Sequence, residues 1–194
     1  MSRLSPVRRA GEPILEGGER KMDKREKSFS FRVWIESALV LAGLLLLSRL
    51  FLQVSVVKGN SMVPTIHDGD RLVVERVTPK LGEIHRFDVV ILGNPRNPRE
   101  DFVKRVVALP GETVAVRKGR LVVNGRILPE FFEKVGEIDD TPTWKVPEDS
   151  YFVLGDNRPI SLDSREFGFV PKRLIRGKVV LCLWPLSHLG GVMD

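Results

Sequence analysis

Between Val33 and Leu52 the chain reads VWIESALVLAGLLLLSRLFL, a run of twenty residues in which only Glu36 and Arg49 are charged. At about 1.5 Å per residue, a helix of that length spans roughly 30 Å, the thickness of a bilayer's hydrocarbon core. The two charges lie near the ends, where a long side chain can reach the interface. From Ala38 to Leu47 the run is apolar all round, which argues against a helix lying on a surface. A helix buried in a globular core and a cleaved secretory leader are the alternatives. The leader is disfavoured because the preceding basic region is long and Gln53-Val54-Ser55-Val56 is a poor match to a small-residue cleavage site. The run is expected to be an uncleaved transmembrane anchor, residues 33–52.

The charge distribution sets the expected topology. The chain carries a net charge of +6 over 194 residues, and residues 1–32 alone hold nine Lys and Arg against five Asp and Glu. The excess therefore sits in a Gly-, Pro- and charge-rich tail and not on a folded face, so no nucleic-acid partner is expected. A basic tail beside an anchor favours the cytoplasmic side. Residues 1–32 are expected to be disordered and cytoplasmic, with the rest of the chain beyond Leu52 extracytoplasmic. Hydrophobic residues at 42% and charged residues at 29% give a globular balance. The single cysteine, Cys182, rules out an internal disulfide and argues against a thiolate metal site.

After the anchor the periodicity changes. Short runs rich in Val, Ile and Leu alternate with turn residues: Val54–Val57, Leu72–Val77, Asp88–Leu92, Phe102–Leu109, Thr113–Arg117, Arg120–Val123, Tyr151–Leu154 and Lys178–Leu183. Lys118-Gly119 and Asn124-Gly125 are hairpin signals, because both positions of such turns favour positive φ. No helical stripe of three or more turns appears, so residues 53–186 read as an all-β barrel or sandwich followed by a C-terminal tail, 187–194. Pro129–Asp149 is acidic and irregular and reads as a solvated surface loop anchored by Phe131, Phe132 and Trp144.

Three histidines, His67, His85 and His188, are available to a serine hydrolase, and none stands in a convincing setting. No metal cluster and no phosphate-binding glycine loop is present, so no metal and no cofactor are expected. Without histidine, a serine can be activated by a neutral lysine. Exposed lysine titrates near 10.4, so a lysine base must be buried among apolar groups with no carboxylate on its ammonium. In Asp101-Phe102-Val103-Lys104-Arg105-Val106-Val107, strand alternation puts Lys104 on the face of Phe102 and Val106, with Arg105 turned towards solvent or a partner acid. Lys58-Gly59-Asn60-Ser61-Met62-Val63-Pro64-Thr65 is a Gly- and Pro-bounded turn that can present a hydroxyl beside backbone N–H groups.

These segments do not stand alone. Ser61-Met62-Val63-Pro64-Thr65, Gly69-Asp70, Phe87-Asp88-Val89-Val90, Lys104 to Glu112, and Gly155-Asp156-Asn157-Arg158 with Ser161, Asp163, Ser164, Arg165 and Phe167-Gly168 resemble, in order and spacing, the successive motifs of bacterial type I signal peptidases, a Ser–Lys dyad family. The resemblance runs from about Val33 to Pro185. It implies a signal-peptidase-like β domain behind one N-terminal transmembrane helix, and a membrane-bound serine endopeptidase that removes signal peptides from exported proteins. Its partners would be secretory preproteins with small residues before the cleaved bond, the lipid bilayer and nearby secretion machinery. By the same resemblance Ser61 is the nucleophile and Lys104 the general base. Ser161 is the hydroxyl that orients the lysine amine, and Asp163 and Arg165 form an ion pair beneath the site. Gly155, Asp156, Asn157 and Arg158 shape the facing wall, and Met62, Val57 and Val103 line pockets for the small side chains of an Ala-x-Ala sequence. Some family members carry a serine where Gly59 stands here, which leaves the oxyanion to backbone N–H groups, chiefly that of Ser61. The chain is short for the family, and the large extra β domain of longer members is expected to be absent. An inactive relative or a membrane-tethered β module that only binds exported chains are the alternatives. Self-cleaving SOS-response repressors share the dyad but carry a DNA-binding head and no anchor.

Overall fold

In a computed structural model of the chain, residues 24–97, 99–188 and 190–191 are described. The chain divides into two compact units, 1–44 and 45–194. Helix α1 runs from Lys24 to Phe51. It begins nine residues before the apolar run, within the segment expected to be disordered, because Lys24–Arg32 contains no Pro or Gly to stop it. Residues 1–23 of the expected tail lie outside the described residues. Trp34, Leu39, Val40, Leu44 and Leu46 all lie exposed along α1. Among the described residues no helix is long and apolar enough to cross a membrane.

The second unit is mainly β. Its strands are β1 (Leu52–Val56), β2 (Arg71–Glu75), β3 (Val89–Gly93), β4 (Asp101–Ala108), β5 (Thr113–Arg117), β6 (Arg120–Val123), β7 (Arg126–Ile127), β8 (Trp144–Lys145), β9 (Ser150–Leu154), β10 (Val170–Pro171), β11 (Ile175–Trp184) and β12 (Gly190–Gly191). Two single-turn helices join them, α2 (Thr78–Leu81) and α3 (Ser164–Phe167). Among the described residues the larger sheet runs β1-β2-β11-β3-β4-β9-β10, with β12 beside β11, and the smaller runs β7-β6-β5-β8. Both hairpin signals are realised: Lys118, Gly119, Asn124 and Gly125 all have positive φ, between 50° and 76°.

Packing explains the curl of the larger sheet. Val57, Met62, Ile66, Leu72, Val74, Val89, Ile91 and Val179 form one buried cluster inside it, which Val103 joins from β4. A second cluster unites the two sheets, with Val107, Phe152 and Leu154 of the larger meeting Val114, Val116, Leu121 and Val123 of the smaller. Each buried aliphatic side chain stabilises by about 1.5–3 kcal/mol. Pro129–Asp149 is more than a solvated loop. Phe132, Ile138 and Val146 are buried, and Trp144 stacks on Phe152 with centroids 5.1 Å apart, while Phe131 stays exposed. Beyond Pro185, Leu186–His188 make a turn of 3₁₀ helix and Gly190–Gly191 pair with β11, so part of the expected tail is ordered; 189 and 192–194 lie outside the described residues.

Candidate active site

The chain leaves β1 into a loop that returns to β2 and is stitched at its base. Val57 N–H donates to Asp70 O at 2.9 Å and Gly69 N–H to Val57 O at 3.1 Å. Gly59 takes φ +94°, a conformation L side chains rarely adopt, and its N–H donates to Asp68 Oδ1 at 2.7 Å. Met62 and Ile66, at 1% and 0% exposed, sink into the core on either side of the turn. Ser61 is left half-buried at its rim, and among the described residues nothing accepts from its backbone N–H.

Lys104 reaches this hydroxyl from β4, where it pairs with Val90 of β3. Its Nζ lies 2.6 Å from Ser61 Oγ and donates to Val103 O at 3.1 Å. The side chain is 3% exposed, and Nζ lies 5.3 Å from the centre of the Phe102 ring, as strand alternation requires. Among the described residues no carboxylate forms an ion pair with it. Burial pulls the amine from its ordinary range down to about 8. The charges of Asp163 and Asp156 work against that shift, and Arg165 works with it.

The next residue, Arg105, faces the other way and is equally buried, so of the two expected settings the partner acid is the one found. Its Nε and Nη2 bond Asp156 Oδ1 and Oδ2 at 3.0 and 2.7 Å, and its guanidinium lies 4.0 Å from the centre of the Phe132 ring. Asp156 Oδ2 also accepts from Thr65 Oγ1 at 2.7 Å. One carboxylate therefore ties the loop that carries Ser61 to the strand that carries Lys104. Asn157 holds that loop from the same wall: its N–H donates to Ser61 O at 3.0 Å and its Nδ2 to Asn60 O at 3.2 Å. Arg158 Nε donates to Gly155 O at 3.0 Å, and its other end pairs with Glu130.

Asp163 and Arg165 form the expected pair through two 2.8 Å bonds, and Asp163 also accepts from Gly155 N–H at 3.1 Å. Ser161 departs from expectation. Its hydroxyl, on a residue 4% exposed, has no hydrogen-bond partner among the described residues and does not bond Lys104. The two described hydrogen bonds of the amine go to Ser61 and to its own strand. The Ser161 hydroxyl instead abuts Gly155, where an added Cβ would lie 2.2 Å from it. Sequence reasoning gave Thr65 only a place in a motif, Phe132 only the part of a loop anchor and Glu130 none. The long-range signal joining them to the wall is an ion pair and a stacked ring, which leave no local pattern.

The dyad opens onto a cleft of about 460 Å³ lined by residues 53–59, Ser61, Met62, Leu72, Ile91 and 101–104. It falls in the range of ligand pockets. Val57, Met62 and Val103 all line it. Two strand edges border it: β1 ends the larger sheet, and β4 pairs with β9 only from Arg105 onward. Among the described residues no group of three or more His, Cys, Asp or Glu is placed to hold a metal. His85 is largely exposed and His67 half-buried; the side chain of His188 lies outside the described residues.

A serine hydroxyl bonded to a buried lysine amine, on a mainly β scaffold, defines a hydrolase site built without histidine. The chain belongs to the signal peptidase family, peptidase S26, whose pattern matches residues 31–184. It is 32% identical over 185 residues to a probable signal peptidase I-2 of Synechocystis, covering 90% of this chain and 84% of that protein. A signal peptidase I of Bacillus licheniformis is 35% identical, over 88% of this chain and 96% of its own length. A crystal structure of a signal peptidase I from Enterococcus faecalis is 38% identical and covers 50% of this chain and 96% of that one, with a TM-score of 0.44.

The two ion pairs that differ most in burial should differ in worth. Asp156→Ala leaves Arg105 buried without its acid and should cost about 3–5 kcal/mol of unfolding free energy. Asp101→Ala, which breaks the half-exposed pair with Arg176, should cost under about 1 kcal/mol. Chemical denaturation of the two variants measures both.

Proposed function

We propose that this chain acts as a type I signal peptidase, cutting signal peptides from exported proteins with Ser61 as nucleophile and Lys104 as general base. The observation that carries the reading is the 2.6 Å contact between Lys104 Nζ and Ser61 Oγ, made by an amine that burial holds at about 8. The neutral amine takes the hydroxyl proton as Oγ attacks the carbonyl carbon, forming a tetrahedral oxyanion. The backbone N–H of Ser61 faces the developing charge, while that of Gly59 is already engaged with Asp68. Collapse expels the amine of the mature protein, which takes the proton back from the Lys104 ammonium, and an acyl-enzyme remains. Water, deprotonated by the same lysine, then releases the signal peptide.

The substrate lies extended in the cleft. The two open edges of β1 and β4 offer backbone donors and acceptors to a strand between them, which binds by sheet extension without regard to sequence. Selectivity then falls to Val57, Met62 and Val103, whose bulk leaves room for small side chains before the bond. Ser161, Asp163 and Arg165, with Gly155 to Arg158, position the dyad and do not react. α1 anchors the chain at the membrane, with the basic tail cytoplasmic and the β domain outside. The row of exposed apolar side chains along α1 supports this. Sharing a membrane with the preprotein raises encounter without a tight pocket.

Ser61→Ala and Lys104→Arg should each abolish cleavage of a secretory preprotein in detergent while leaving the circular dichroism unchanged, because arginine holds its proton at any accessible pH. Cleavage by either variant would refute the dyad. The sign of the pH dependence follows from the lowered amine: protonated below about 8, it cannot accept the serine proton, so kcat/KM should rise tenfold per pH unit up to about 8 and then level. At pH 7 roughly one amine in ten is neutral. A plateau reached only above 10 would mean an unperturbed lysine. For the anchor, the full chain should stay with the membrane pellet after alkaline carbonate extraction, and a chain starting at Gln53 should not.

A further inference from the structure

Past Gln53 and Asp101 the cleft does not end. Gln53, Ser55, Ile91 and Asp101 also line a second hollow of about 310 Å³, whose far wall is basic: Arg76, Lys80 and Arg176. Arg176 is matched by Asp101, with bonds of 3.0 and 3.2 Å. Arg76 and Lys80 are exposed, and neither forms an ion pair among the described residues. Glu75, the residue before Arg76, turns its Oε2 onto the N–H groups of Val77 and Thr78 at 2.9 and 3.0 Å. The hollow thus carries, at the end of a substrate groove, two cations that form no ion pair among the described residues.

Its place along the groove fixes what could reach it. Arg76 N–H donates to Phe51 O at 3.0 Å, so the hollow adjoins the point where the chain leaves α1. A signal peptide whose apolar part is still in the bilayer must enter the cleft from that end. At about 3.3 Å per residue, Gln53 is roughly 13 Å from Val57 along β1. We propose that the hollow bounded by Gln53, Asp101, Arg76, Lys80 and Arg176 is a subsite for the polar stretch of the signal peptide about five residues before the cleaved bond, and that it selects an acidic side chain there over a basic one. This rests on the reading of the Ser61–Lys104 site as a signal peptidase and extends it to a second determinant of specificity.

The test uses the full chain in neutral detergent and three synthetic peptides sharing an Ala-x-Ala cleavage sequence. One has Asp and one has Lys at the fifth residue before the bond; the third begins at the fourth. The unmodified chain should cleave the Asp peptide with kcat/KM about fivefold above the Lys peptide, mainly through KM, and the ratio should shrink as salt is raised. The double variant Arg76→Glu with Lys80→Glu should invert the preference and cleave the short peptide as well as the unmodified chain does, which shows an intact fold and dyad. Equal cleavage of the Asp and Lys peptides at low salt would overturn the subsite while leaving the peptidase standing. If in addition vesicles containing an anionic phospholipid stimulate the unmodified chain and not the double variant, the hollow belongs to headgroups and the subsite is likewise overturned. Failure to cleave all three peptides would overturn the peptidase reading, and the subsite with it.

Discussion

Two adjacent cations on β4 are both taken out of water, and the site depends on their being treated differently. Arg105 receives a bidentate carboxylate, an aromatic face and a backbone carbonyl. Lys104 receives a hydroxyl, its own strand's carbonyl and, among the described residues, no ion pair. Strand alternation allows this, since successive side chains face opposite sides and can be solvated by different surroundings. Desolvation without compensation turns a lysine into a usable base, and the neighbouring ion pair keeps the strand that carries it in place.

That division makes Asp156 a structural hinge pin. Its two oxygens serve Arg105 on one side and Thr65 on the other, so the loop of Ser61 and the strand of Lys104 share one anchor point. Asn157 adds two bonds to the carbonyls of residues 60 and 61. The pieces come from three distant stretches of sequence, and their relative position is set by buried polar bonds and not by the apolar core alone. Such bonds are strongly directional, which suits a site where a shift of about 1 Å separates a proton transfer from none.

The sequence made much of this legible, unevenly. Alternation along Asp101–Val107 located Lys104 correctly on the face of Phe102, and apolar runs found eight of the strands within a few residues, because both signals are local. Strands of two residues, such as Arg126–Ile127 and Val170–Pro171, have no periodicity to detect. α1 starts nine residues before the apolar run, because apolar content marks only the stretch suited to a bilayer while a charged segment extends the helix equally well. The setting of Ser161 was carried over from a family pattern, and a pattern gives the residue without the rotamer. Glu130 and Phe132 lie in a segment that reads as loose surface and yet packs behind the wall, since one carboxylate and one ring suffice to anchor it.

Gly155 shows how little freedom the wall retains. A β-carbon there would stand 2.2 Å from the Ser161 hydroxyl and 2.4 Å from the carbonyl of Ser61. Even alanine would have to displace the Ser61 backbone or the Ser161 side chain. The position is closed to gradual change: a lineage could vary the charges at the groove's far end one at a time, but the floor beneath the serine admits a hydrogen atom and nothing larger.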